Sequence, residues 1–204
     1  MEKFLTLSAI AAPFLRDNID TDVIIRIDRL VGGRPDEVGK YAFELLRYLP
    51  DGSENPGFVL NREPFRRAQI LLGGANFACG SSREPAVWAL QQMGLRCVIA
   101  PSFGDIFFAN CFQNGMLPIV LDRSTVEALA AEVEADPARG IVTVDLERRT
   151  IVSPSGKEIR FEIDPARREA LLKGLDEIGM TMSREAEIAA FQVRDRNRRP
   201  WIYR

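Results

Sequence analysis

Residues 79–85 read CGSSREP. Two hydroxyls and a guanidinium follow a glycine, and an apolar helical pattern starts directly after them. The chain has no histidine, the usual general base near neutral pH. Such a stretch has two physical uses. Ser81 or Ser82 can cap the helix by accepting a backbone N–H, and Ser81 with Glu84 three positions on fits a capping box. A bare helix N-terminus also attracts anions, and an arginine fork with two hydroxyls makes it a cradle for a carboxylate or phosphate. Gly73, Gly74 and Gly80 allow close backbone approach. Neither a G-x-x-x-x-G-K-S/T phosphate loop nor a G-x-G-x-x-G turn after a strand is present, so a cradled carboxylate is the better fit. Pro85 falls in the first turn. With Ser82 as N-cap its missing N–H costs nothing; with Ser81 as N-cap it removes the first regular bond and shifts the helix start. Asp20-Thr21-Asp22 forms a second constellation, which on turn chemistry alone bonds its own backbone.

The elements that must position these groups are clearest between residues 68 and 121. AQILLGG reads as a buried strand ending in two glycines. SREPAVWALQQMG reads as a helix with Val87, Leu90 and Met93 inward, stopped by Gly94. RCVIAP is a second strand, SFGDIFFANCFQNG a helix opened by Ser102 and closed by Gly115, and LPIVL a third strand. Short joins imply parallel strands, whose carboxyl ends gather ligands; residues 73–83 lie at such an end. NIDTDVIIRIDRL reads as a polar turn and a strand. Residues 36–49 fit a helix with Tyr41, Leu45 and Tyr48 on one side. STVEALAAEVEAD is a helix capped at Ser124 or Thr125. IVTVDLE and EIRFEI suggest a β-meander, DPARREALLKGLD and SREAEIAAFQVRDR two helices. The expectation is one α/β domain over residues 1–204, a parallel unit with a smaller second β layer.

Charge and composition narrow the function. A net charge of −2 argues against non-specific binding to nucleic acid or an anionic membrane, and no apolar run approaches a membrane span. The N-terminus reads as strand and loop, not as a signal peptide. Cys79, Cys97 and Cys111 form no Cys-x-x-Cys pair, so an iron–sulfur or zinc site built by this chain alone is not expected. Their use suits a reducing cytoplasm. The arginine-rich end, VRDRNRRPWIYR, reads as a solvated tail or an inter-subunit strap anchored by Trp201 and Tyr203.

GGANFACGSSRE, with APSFGDIFFANCFQNGMLPI behind it and NIDTDVII ahead, closely resembles the small subunits of isopropylmalate isomerase (3-isopropylmalate dehydratase). These are similar to the C-terminal swivelling domain of aconitase. DGSENPGFVLN, VTVDLER and FEIDPARREALLKGLDEIG extend the resemblance over nearly the whole chain. It implies a swivelling β/β/α three-layer domain, and a large-subunit partner holding a four-iron four-sulfur cluster, with no cofactor or metal on this chain. It implies dehydration and rehydration of a small dicarboxylate, isomerising 2- and 3-isopropylmalate in cytoplasmic leucine biosynthesis. By similarity Ser81 takes the carbon-bound proton, Ser82 and Arg83 bind a substrate carboxylate, and Asp22 partners a histidine across the interface. Thr21, Asn76, Phe77 and Gly80 shape the loops, and Cys79 is a small packed residue. Two departures concern specificity. Arg26 and Ile27 stand where relatives have Pro-Lys, ahead of a loop that Gly32 and Gly33 make mobile, and Pro85 stands where relatives have histidine. These departures keep open a paralogue acting on a citraconate- or homoaconitate-like acid, and a non-catalytic anion-binding or regulatory role.

Overall fold

The computed structural model describes residues 1–31, 35–80 and 83–203. Ser81, Ser82, Gly32 and Gly33 lie outside the described residues, and so do the expectations placed on them. Seven strands form one sheet in the order β4-β3-β2-β1-β5-β6-β7. Strands β2 (Ile70–Gly73), β3 (Cys97–Ala100) and β4 (Leu117–Val120) are parallel to β1 (Thr6–Phe14) and to one another. β2 and β3 are buried along their length, as short, two-sided apolar strands require. The meander is present as β5 (Ile141–Asp145), β6 (Thr150–Val152) and β7 (Glu158–Arg160), all antiparallel.

β1 joins the two parts. Residues 6–10 pair antiparallel with β5 and residues 11–14 parallel with β2. Pro13, which has no N–H to give, lies past the last β5 partner, where that side of the strand needs no donor. The parallel strands are connected by α3 (Glu84–Gln92) and α4 (Asp105–Asn114), and α5 (Arg123–Ala135) packs on β1, β2 and β3. Val126, Leu129, Ala130 and Val133 recur at helical spacing on its buried side.

Several local expectations are corrected. VIIRI is not a strand: Thr21–Ile24 form a short helix, α1. Residues 36–49 are not one helix but a 3-10 turn at Pro35–Tyr41 and the four-residue α2, Glu44–Arg47. Phe43 between them takes φ +53° and packs against Phe14 and Phe58, which leaves Leu45 60% exposed. Helix α3 starts at Glu84 with Arg83 at the N-cap position; the capping roles expected of Ser81 and Ser82 lie outside the described residues. Ser102 does not cap α4, whose N-cap is Gly104. The cap of α5 is Asp122, which accepts from the Thr125 N–H and from both the Ser124 and Thr125 hydroxyls.

After α6 (Pro165–Lys173) and α7 (Glu177–Met182), helix α8 (Glu185–Arg198) buries only Asp195. Tyr203 donates to that carboxylate, while Trp201 is exposed.

Candidate active site

The loops that leave the carboxyl ends of β1, β2 and β3 are bonded to one another. The Asn18 N–H donates to the Ala75 carbonyl (2.9 Å), the Cys79 N–H to Ile19 (3.0 Å) and the Thr21 N–H to Cys79 (2.9 Å). Asp17 accepts from the Ala75 N–H at 2.7 Å and from Arg123 at 2.8 Å. The third loop joins through Ser102, whose hydroxyl accepts the Asn76 N–H and whose carbonyl accepts the Phe77 N–H. Asn76 also donates its side-chain amide to Asn18. Beneath the loop Phe77 is fully buried against Phe103 and Phe107. Asn18, Asn76 and Ala78 all hold φ near +55°. Asparagine tolerates this region, but for Ala78 it is strain, of the kind that concentrates at functional loops.

Asp20 ties the two main loops together. Its carboxylate accepts the Asp22 N–H at 2.7 Å and caps α1, so the turn reading of Asp-Thr-Asp holds for Asp20. The same carboxylate lies against Gly80, which has φ +93° and where a Cβ would come within 2.1 Å of Asp20 Oδ2. Thr21 is buried beside it. Gly74 is also enclosed, with the Arg16 backbone 2.5 Å from any added Cβ.

This clasp brings Asp22 and Arg83 into contact, although 61 residues separate them. Arg83 Nη1 donates to Asp22 Oδ1 and reaches the Ile25 carbonyl at 3.5 Å. Its side chain is 12% exposed, that of Asp22 53%. The Arg83 hydrogen bond holds the Asp22 carboxyl below the usual carboxylate range, against the opposing effect of partial burial. Among the described residues Arg83 Nε and Nη2 find no acceptor, so part of the fork remains for an anion. Pro85 occupies the second position of α3, where its N–H would have had no intrahelical partner. Arg26 directs its own fork at Asp28, at 3.0 and 2.8 Å. The sequence reading passed over Asp17, Asn18, Ser102 and Arg123. For Asp17, Asn18 and Ser102 the available signal was their type, short polar groups at strand ends; Arg123, the first residue of α5, carried none.

Two of the three cysteines are enclosed in the core, and Cys79 is partly exposed. Cys97 and Cys111 are fully buried, and burial pushes both thiols up. Among the described residues no three His, Cys, Asp or Glu side chains converge on a metal position. A concavity of about 380 Å³ lies elsewhere, between α4, α6 and α7. Asp22 and Arg83 do not line it.

Known proteins match the chain along nearly its whole length. Residues 1–124 match the aconitase C-terminal domain model and residues 127–165 a LeuD_N model. Residues 177–204 match the model for the C-terminal domain of 3-isopropylmalate dehydratase small subunits. The 3-isopropylmalate dehydratase small subunit of Gluconacetobacter diazotrophicus is 52% identical, over 98% of this chain and 97% of the relative. That of Paramagnetospirillum magneticum is 50% identical, over 99% and 100%. A crystal structure of 3-isopropylmalate dehydratase from Methanocaldococcus jannaschii superposes with a TM-score of 0.66 at 25% identity, covering 91% of this chain and 99% of that one. The chain belongs to the family of 3-isopropylmalate dehydratase small subunits.

Proposed function

We propose that residues 1–204 act as one swivel-type domain, the small subunit of a 3-isopropylmalate dehydratase. It interconverts 2- and 3-isopropylmalate by loss and return of water, in cytoplasmic leucine biosynthesis, together with a large cluster-bearing partner. The observation that carries this reading is Arg83: nearly buried, at the start of α3, held on one side by Asp22 and with donors to spare. A fork so placed can take a substrate carboxylate in two parallel bonds. Ser82 would add a hydroxyl to that carboxylate. Ser81 would accept the carbon-bound proton on Oγ and return it on rehydration. An alkoxide there is favoured by the helix N-terminus and by the positive charge of Arg83. Asp22 orients Arg83 from within the chain and would partner a histidine of the large subunit across the interface. A four-iron four-sulfur cluster on the large subunit supplies a Lewis acid for the leaving hydroxyl.

Arg26 and Ile27 favour a second reading, a paralogue for another hydroxy dicarboxylate. The Arg26 fork is occupied by Asp28, and Ile27 is exposed beside it. Reconstituting the chain with candidate large subunits and assaying 2-isopropylmalate against citraconate- and homoaconitate-type acids separates the two. Preference for 2-isopropylmalate supports the first, preference for another acid the second, and failure to bind any cluster-bearing chain overturns both.

A further inference from the structure

We propose that Asn114, the last residue of α4, is a positioning residue for Arg83. Among the described residues helix α3 has no local side-chain cap, because Arg83 at its N-cap position makes no capping bond, and Pro85 brings no donor to its first turn. That turn is held from outside instead. Asn114 Nδ2 donates to Glu84 Oε1 at 2.9 Å and to the Asn110 carbonyl at 2.9 Å. Asn114 Oδ1 accepts the Trp88 indole N–H at 2.9 Å, and its backbone carbonyl accepts the Gln91 amide at 2.7 Å. One residue therefore grips α3 at positions 84, 88 and 91, a single face at helical spacing. The orientation of the amide is forced: an indole only donates and a carboxylate only accepts. Asn114 itself is fixed by the helix end, where Gly115 takes φ +78°.

Glu84 directly follows Arg83, so a shift of the first turn moves the Arg83 backbone and with it the guanidinium that meets Asp22. Asn114 touches no substrate and acts only through Arg83. The inference rests on the carboxylate-binding role proposed for Arg83, but the placement of Arg83 can be read without activity. Asp22 serves as the reporter, since Arg83 donates to its carboxylate and that hydrogen bond is the first cause of its lowered titration.

The test uses Asn114→Asp, which keeps an acceptor for Trp88 but sets a carboxylate against Glu84, and the double variant Asn114→Asp/Glu84→Gln, which restores a donor–acceptor pair with reversed polarity. Two measurements are made: the Asp22 titration by carboxyl-carbon NMR in the full chain, and KM and kcat in the complex with the large subunit. The expected result is an Asp22 titration moved up toward the ordinary carboxylate value and a KM raised about tenfold with kcat within about twofold. Both should return in the double variant. An Asp22 titration that stays in place in Asn114→Asp overturns the proposal, as does a double variant that behaves like the single one. Loss of melting temperature with KM unchanged also overturns it, since it marks a merely structural role. If Asn114→Asp does not fold, Asn114→Ser, which removes the amide contacts without adding charge, is judged by the same criteria. A wild-type complex inactive on every hydroxy acid would remove the dehydratase reading, while the Asp22 titration would still decide the role of Asn114.

Discussion

At the level of single side chains, the Arg83 guanidinium favours the charged form of the Asp22 carboxyl. The folded-state value for Asp22 lies below its unfolded one, which is ordinarily about 3.9. The pair therefore contributes its stability above that unfolded value and loses it as pH falls through the lowered folded value. Because Asp22 is half exposed, solvent screens the effect and it is small. By NMR the Asp22 carboxyl should titrate below its peptide value and return to it in Arg83→Ala; the same low value in that variant would mean that Arg83 is not the cause. Pro85 gives a second prediction. Because its position in α3 requires no N–H, Pro85→His should fold as the wild type does, and the added imidazole should change rate or substrate preference in the reconstituted enzyme. Identical kcat/KM across a panel of hydroxy dicarboxylates would remove the link between residue 85 and specificity.

At the level of elements, the site depends on loops that pass within contact distance of each other. Gly80→Ala places a methyl group on the Asp20 carboxylate and forces a positive φ on alanine. It should cost about 1–3 kcal/mol of stability, measured by urea unfolding, whereas an unchanged midpoint would show that the clasp gives way freely. The apolar strands and the helices between them were legible because their periodicity and their glycine stops agree. Loop contacts were not, since they join residues such as Asn18 and Asn76 that only the fold brings together. VIIRI read as a strand because a short β-branched run carries no decisive period, and the Asp20 cap and the bond from Thr21 to Cys79 decided for a helix. Residues 36–49 failed as a helix for a tertiary reason. Gly39 packs so closely on α3 that an added Cβ would lie 2.4 Å from the Gln92 Cβ, and the buried Phe43 breaks the turn. The expected hydroxyl caps failed alike at α4 and α5, where Gly104, two residues after Ser102, and Asp122, two before Ser124 and three before Thr125, took the position. Of the candidate site, Asp22 and Arg83 were found from residue type together with family resemblance. Their direct contact was not, because nothing local links positions 22 and 83.

At the level of the whole molecule, β1 carries both parts of the sheet, and the apolar core runs from Phe4 to Leu171. α8 lies beyond it. Removing residues 184–204 should therefore shift the melting temperature by less than about 3 °C, followed by circular dichroism, and a larger fall would mean that the arm packs on the body. Membership of the dehydratase small-subunit family implies a large-subunit partner, and on the function proposed above this chain would supply half of a catalytic site that the partner completes. The most direct measurement compares alkene formation from 2-isopropylmalate by the large subunit assembled with wild-type chain and with Arg83→Ala. Assembly should be equal, neither chain alone should be active, and kcat/KM should fall by about 100-fold in the variant, the worth of charge-assisted bonds to one carboxylate. An unchanged kcat/KM in a fully assembled Arg83→Ala complex would contradict the carboxylate-binding role of Arg83.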